Sequence, residues 1–372
     1  MKIALAIFKY FPHGGLQRDF MRIVHELLKR GHDVTAFTSR FDGEIPAGLK
    51  VEFLKLNSWS NHGKAVEFEK LFNAAAKGFD VKFAFNRIAG ADFYFAADNC
   101  IKSEALAVYP EWFLKISPRH RSILKQEEKI MTPDGDTRIF YIVDKQKKDY
   151  QKFYHTPDER FIYLPPGLND SCFRTAEAET LRMKKRQELK LADDEILLLL
   201  IGSFFKGKGA DRLITAAGAL PKNIKEKCRI AIVGNMSRKV CETLCCKSGI
   251  PAEHLIMPGA TEDVPLWLLA ADLMVHPARK EAAGTVIVEA LAAGLPVIAS
   301  SECGFANFAA EAGGCALQLP FVQEELNSCL QEFLAPEKLA LIKEQAVAYS
   351  SKADFRRRAA AAVDLLEQYC HG

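Results

Sequence analysis

Glu281 and Glu289 stand eight residues apart in the run Glu281-Ala282-Ala283-Gly284-Thr285-Val286-Ile287-Val288-Glu289, with only small and apolar residues between them. Residues Thr285 to Ala293 are helix-compatible, Gly294 supplies a stop and Pro296 bars continuation, so a helix is expected to begin next to Gly284. The first turn of a helix leaves backbone N–H groups unpaired and its dipole favours an anion, so a diphosphate fits against Ala283, Gly284 and Thr285. Glu281, in the loop before the helix, can accept from sugar hydroxyls. Glu289, just over a turn in, can accept from a vicinal diol such as a ribose. Two acceptors flanking one phosphate cradle suit a nucleotide-sugar. The plain alternative is a chance spacing in which one glutamate complements a helix dipole. Context favours the site, because His276-Pro277-Ala278-Arg279-Lys280 follows an apolar Leu273-Met274-Val275 strand, and ligands in open α/β sheets bind beyond the carboxyl ends of strands.

Two further glycine loops offer phosphate contacts. Tyr10-Phe11-Pro12-His13-Gly14-Gly15-Leu16-Gln17-Arg18-Asp19 joins a first strand to a first helix, and paired glycines let backbone approach a ligand or simply make a tight turn. Ile201-Gly202-Ser203-Phe204-Phe205-Lys206-Gly207-Lys208-Gly209 ends another strand and sets two lysines, compact cations suited to phosphate, among glycines. It matches the start of a P-loop, but Gly209 stands where a Ser or Thr hydroxyl must hold magnesium, so ATP hydrolysis is not indicated.

Short apolar strands alternating with helical periods must position these loops, and that alternation predicts parallel sheets covered by helices. In the first half the strands are Ile3–Phe8, Val34–Thr38, Val51–Leu56, Val81–Phe85, Ile139–Val143 and Phe161–Leu164. Pro165-Pro166-Gly167 breaks the chain, and Ile196–Ile201, Ile230–Val233, His254–Met257, Leu273–Val275 and Val297–Ala299 form a second series. The fold class is therefore α/β with two facing domains of similar build, residues 1–166 and 167–350. A last helix, from about Ser351 to Tyr369, has no strand after it and is free to join the first domain, as residues 351–372.

Composition narrows the class. The 372 residues, 49% hydrophobic, can bury large cores, and 50 basic against 47 acidic residues leave +3, too little to argue for nucleic acid. Ten cysteines are scattered singly apart from Cys241, Cys245 and Cys246, without paired zinc-type spacing; that trio reads as helix packing over metal binding. Lys9 interrupts the apolar start and no apolar run reaches the roughly 18 residues that cross a bilayer, so a cytoplasmic protein with reduced thiols is expected.

These strings resemble the retaining, metal-independent GT-B glycosyltransferases of the large glycogen-synthase-like family 4. Lys9-Tyr10-Phe11-Pro12, Gly14 to Ile23, Phe95-Ala96-Ala97-Asp98 and His276-Pro277 before Glu281-Ala282-Ala283-Gly284 are similar to the lipopolysaccharide core glucosyltransferases within it. The resemblance implies that the two facing domains are Rossmann-like with a deep cleft between them, and that the chain transfers glucose from UDP-glucose to a heptose of the inner core in α-1,3 linkage, with no cofactor and no metal. It implies that Gly14 and Gly15, with Asp19 behind them, approach the donor diphosphate and that Lys208 neutralises it as UDP departs. Glu281 would hold glucose hydroxyls, the Ala282 to Thr285 backbone the sugar and phosphate oxygens, and Glu289 the ribose. The family usually carries an arginine at one of the places held here by Ser203 and Gly207, and Lys206 is expected to supply that charge. Asp98 lies where many relatives carry a catalytic-site histidine and is the candidate for orienting or deprotonating the acceptor hydroxyl. The single Asp-x-Asp pair, Asp134-Gly135-Asp136, follows Pro133 and reads as a turn. Front-face substitution and a covalent intermediate both stay open, as do another UDP-hexose, a nucleotide-sugar epimerase and a lipid-core binding protein.

Ile101 to Met131 combines Tyr109, Trp112 and Phe113 with Lys102, Lys115, Arg119, Arg121, Lys125 and Lys129. Aromatic and basic residues together suit an anionic interface, and a lipid-anchored acceptor would place this segment against the cytoplasmic face of the inner membrane, a peripheral attachment. Glu104, Glu111, Glu127 and Glu128 in the same stretch support the alternative of a solvated helical face.

Overall fold

The computed structural model describes residues 1–12 and 14–371 and divides into two units, Met1–Gly167 with Arg357–Gly372, and Leu168–Arg356. The first unit holds β1 (Lys2–Ala6), β2 (Asp33–Thr38), β3 (Lys50–Phe53), β4 (Val81–Ala84), β5 (Phe93–Ala96), β6 (Arg138–Tyr141) and β7 (Phe161–Tyr163). They pair in parallel in the order β3-β2-β1-β4-β5-β6-β7. The second unit holds β8 (Ile196–Ile201), β9 (Cys228–Val233), β10 (Leu255–Gly259), β11 (Leu273–His276), β12 (Val297–Ser300) and β13 (Cys315–Leu317). These are also all parallel, in the order β10-β9-β8-β11-β12-β13.

Strand order reverses between β1 and β4 in one sheet and between β8 and β11 in the other, and such switch points open a crevice at the carboxyl ends of the strands. Burial on both faces explains the unbroken apolar strands, such as Leu197 to Leu200, none of which is exposed. The two cores differ in chemistry. The first is an aromatic lattice in which Phe83 meets Phe93 at 6.2 Å and Phe140 at 5.5 Å, edge to face, and Phe85 meets Phe20 at 5.0 Å. The second is aliphatic, built from Leu198, Leu200, Ile230, Ile232, Val275 and Ile298. Cys241 and Cys245 are buried in it while Cys246 is exposed, which is helix packing.

The return crossing, expected between 350 and 351, lies between Arg356 and Arg357. The helix Pro336–Lys352 stays with the second unit, as does buried Phe355, whose ring meets Phe308 at 5.5 Å and whose carbonyl accepts from Leu168 N at 2.7 Å. The final helix is consequently Arg358–His371 and starts later than the expected Ser351, because Ala353 is extended. It belongs to the first unit, where Arg30 bonds Asp364 at 2.7 Å and Glu367 at 2.8 Å and Arg138 lies 4.3 Å over the Tyr369 ring.

Candidate active site

The site in the second unit is built on the switch point. The loop after β8 carries Lys208 at the end of a single helical turn, Phe205–Lys208, and the loop after the neighbouring β11 carries Glu281. Close approach locks the two loops together. A Cβ on Gly209, whose φ is +75°, would stand 2.1 Å from the Pro277 carbonyl oxygen, and one on Gly202 would stand 2.7 Å from Lys208 Cγ. The Gly207 carbonyl accepts from Arg279 N at 2.8 Å, and Arg212 Nη1 donates to the Pro277 and Ala278 carbonyls at 3.0 and 3.2 Å.

This lock brings the Lys208 ammonium onto the Glu281 carboxylate. His276, fully buried at the end of β11, places Nε2 at 3.2 Å from the same Oε2 atom. Burial would raise the Glu281 pKa, but the His276 hydrogen bond and the Lys208 charge outweigh it and hold the carboxyl down at about 2. Glu281 is thus an anion at any physiological pH. Gly284 takes the left-handed conformation, φ +75°, as N-cap of the helix Thr285–Ala292; Ile287 N donates to the Gly284 carbonyl at 2.9 Å, while the Thr285 and Val286 N–H groups have no partner within the helix. The carbonyls of Ala282 and Ala283 are tied back by Gly304 N at 2.9 Å and Phe305 N at 2.8 Å. Glu289 lies one turn into that helix and is nearly buried. The arrangement sets a cation, a fixed carboxylate and a helix N-terminus together at one switch point, which is chemistry for a phosphorylated, hydroxyl-rich ligand.

Other expected residues are placed differently. Lys206 does not join Lys208: its Nζ bonds Asp211 at 2.9 Å, and Arg279 bonds the same carboxylate at 2.7 Å. In this arrangement Lys206 serves the loop lock. Asp19 is buried in the first unit between Arg22 at 3.1 Å and Arg358 at 2.7 Å, in an ion-pair cluster.

In the same unit Gly14 is the N-cap of the helix Gly15–Lys29, and a Cβ there would overlap Gln17 Oε1 at 1.8 Å, whereas Gly15 faces open space. Asp98 follows β5 with its side chain three-quarters exposed and Arg87 Nη1 at 3.9 Å. Asp134 lies in a turn, and the Arg160 guanidinium packs on Gly135. No group of three or more His, Cys, Asp and Glu suited to a metal ion occurs among the described residues.

The segment 101–131 forms three helices, Ile101–Leu106, Glu111–Ile116 and Pro118–Met131. Trp112 is 64% exposed, Arg119 and Arg121 are exposed, Lys115 pairs with Glu111 at 2.8 Å, and half-buried Phe113 stacks on Tyr109 at 5.1 Å. Of its glutamates, Glu127 turns inward, fully buried, and accepts from Arg87 Nε at 3.1 Å, Ile101 N at 2.9 Å and Tyr154 OH at 2.8 Å. No helix among the described residues is long and apolar enough to cross a membrane.

Comparison with known proteins decides the family. The model for glycosyl transferases group 1 matches residues 182–346, the part of the chain that holds Lys208, Glu281 and Glu289. The lipopolysaccharide glucosyltransferase WaaG of Escherichia coli K12 is 35% identical over 92% of this chain and 91% of its own. This chain is a group 1 glycosyltransferase.

A crystal structure of WaaG, described as involved in lipopolysaccharide biosynthesis, superposes on this glycosyltransferase with a TM-score of 0.85 over 98% of this chain and 99% of that one, at 34% identity. A D-inositol 3-phosphate glycosyltransferase of Catenulispora acidiphila is 26% identical over 71% of this chain and 62% of its own. The Anabaena protein HepE, crystallised with UDP and glucose, shares the fold at a TM-score of 0.71 and 17% identity over 99% of this chain and 100% of that one. The expected α/β class with two Rossmann-like domains is thus correct, and the chain is a hexosyltransferase of this family.

The sequence named Glu281 and Lys208 but missed His276 as their partner and the Asp211–Arg279 pair that locks the loops. His276 carried a readable signal, as the last residue of an apolar strand that points into the loop.

Proposed function

We propose that this group 1 glycosyltransferase moves glucose from UDP-glucose to a heptose of the lipopolysaccharide inner core, in α-1,3 linkage with retention and without a metal ion. The observation that carries this reading is the Lys208–Glu281 pair at the β8/β11 switch point beside the Thr285 helix start. The hard step is breaking the anomeric C–O bond while negative charge grows on UDP and positive charge on an oxocarbenium-like sugar. The N–H groups of the first helical turn, preorganised by the helix, and Lys208, once turned from Glu281, would meet the leaving diphosphate. Glu281, ionised, would accept from glucose hydroxyls, and Glu289 from the ribose. The first unit would present the acceptor, with Gly14 and Gly15 near the diphosphate and exposed Asp98 orienting or deprotonating the incoming hydroxyl. The identity to WaaG supports the donor and acceptor, and the exposed Trp112, Arg119 and Arg121 support peripheral attachment to the cytoplasmic face of the inner membrane.

The test is sugar transfer from UDP-glucose to heptose-terminated core lipid in the presence of a chelator, with wild type and E281A side by side. Wild-type transfer that collapses in the variant supports donor, acceptor and site together. Transfer restored only by added metal, or UDP binding with no transfer, would overturn the metal independence or the choice of sugar and acceptor.

A further inference from the structure

The reaction outlined above gives no task to His276, yet this ring is wholly buried, reaches Glu281 Oε2 with Nε2 at 3.2 Å, and leaves Nδ1 without a hydrogen-bond partner among the described residues. A ring nitrogen facing an ionised carboxylate must carry its proton there, because a bare lone pair would be repelled; the tautomer follows from the group it faces. The ring is therefore a fixed donor to Glu281.

Glu281 Oε2 is shared by two donors of unequal permanence. Lys208 is a charge on a flexible four-carbon stem and remains a quarter exposed. His276 has only two side-chain torsions, no exposure, and a backbone paired into the sheet, His276 against Ala299 of β12. Among the described residues Glu281 Oε1 receives only its neighbour Ala282 N, at 3.3 Å, and is the atom left for a substrate hydroxyl. In the proposed reaction, Lys208 must turn from Glu281 to the diphosphate. A carboxylate held by Lys208 alone would then be loose at the moment it has to orient the sugar.

We propose that His276 is a positioning residue: it keeps Glu281 aimed at the donor sugar once Lys208 has exchanged the carboxylate for the diphosphate. The inference rests on the nucleotide-sugar reading. It says that loss of the His276 proton donor weakens what depends on the sugar and spares what depends on UDP alone.

The experiment compares wild type, H276L and H276Q for UDP and UDP-glucose affinity by calorimetry, for kcat and donor KM in transfer, and for melting temperature. Leucine fills the buried site without a donor, and glutamine places an N–H near the position of Nε2. H276L is expected to lower kcat about 10- to 100-fold, the worth of one hydrogen bond to a charged group, with UDP affinity within about threefold of wild type. H276Q is expected to recover most of that loss. Wild-type kcat in H276L, a parallel fall in UDP and UDP-glucose affinity, or an H276Q no better than H276L would each overturn the proposal. Should H276L not fold, H276Q against H276N decides, because the shorter amide does not reach Glu281 and is expected to be the slower enzyme; equal rates would overturn it. A wild type that turns over a different UDP-hexose fails the donor assignment alone, and the same variants are then compared on that hexose.

Discussion

Arg358 Nη1 donates to Asp19 Oδ2 at 2.7 Å, joining the last helix of the chain to the first across 339 residues of sequence. Both groups are buried, Arg358 Nε also donates to the Pro165 carbonyl at 2.8 Å, and Arg22 completes the cluster by reaching Asp19 and the Gly167 carbonyl. The cluster therefore pins the returning helix beside the point where the chain leaves the first unit. R358A removes one partner of a buried ion pair and leaves Asp19 with Arg22 as its remaining ion-pair partner among the described residues, which should cost roughly 3 kcal/mol. Denaturant unfolding should show the first transition at lower denaturant, and an unchanged midpoint would refute the assignment of this pair to stability.

Glu281 makes a prediction in the acid range. Its folded pKa, about 2, lies below the ordinary value of 4.5, so its contribution to stability is complete above about pH 5 and is lost as pH falls through 2. The full contribution is on the order of 3 kcal/mol. The stability gap between wild type and E281Q, measured by denaturant midpoints from pH 7 down to pH 3, should be constant above pH 5 and close below it. A gap that stays flat to pH 3 would mean that Lys208 and His276 do not hold the carboxylate in solution.

Gly207 and Gly209 should respond oppositely to alanine. A Cβ on Gly207 would meet the Phe204 ring at 2.0 Å, but Phe204 is 62% exposed and can swing away. A Cβ on Gly209 would meet the Pro277 carbonyl oxygen at 2.1 Å at a φ of +75°, where neither backbone can yield without moving Lys208 or Glu281. G207A should keep transfer within about threefold, whereas G209A adds a left-handed strain of about 1–2 kcal/mol to the clash and should lose at least tenfold in kcat. Steady-state rates for the two variants settle it, and equal effects would undo the loop-lock argument.

Much of the frame was legible because both sheets are all parallel: a strand buried on both faces must be continuously apolar, and the central strands announced themselves that way, although β3 at a sheet edge is largely exposed. β13 escaped because it is three residues at a sheet edge, and β5 because Phe93-Tyr94-Phe95-Ala96 was noticed as part of a motif and not as a strand. At the site, Glu281, Gly284 and Lys208 were readable from loop chemistry and helix stops. The ion-pair partners of Lys206 and Asp19 were not legible because sequence adjacency says nothing of rotamer or long-range partner: Asp211 and Arg279 lie 5 and 73 residues from Lys206, and Arg358 lies 339 from Asp19. His276 was passed over because a histidine at a strand end is more often core than site.

The Ile101–Met131 segment gives the last prediction, on membrane attachment. Its acidic residues counted against an anionic interface in the sequence, but Glu127 is consumed inside the fold as a cap for the Ile101 and Lys102 N–H groups, and Glu111 is paired with Lys115. Arg119 and Arg121 face outward beside an exposed Trp112, the combination that settles at a headgroup boundary. Each basic residue near an anionic surface contributes about 1 kcal/mol, so W112A/R119E/R121E, which reverses two charges and removes the indole, should partition onto anionic vesicles at least 100-fold more weakly than wild type. Wild-type binding should itself weaken as salt rises from 0.05 to about 0.5 M, since the attraction is screened within a Debye length of roughly 10 Å or less. Co-sedimentation with vesicles of neutral and anionic lipid measures both effects, and equal binding by the two proteins would move the membrane contact to another part of the chain.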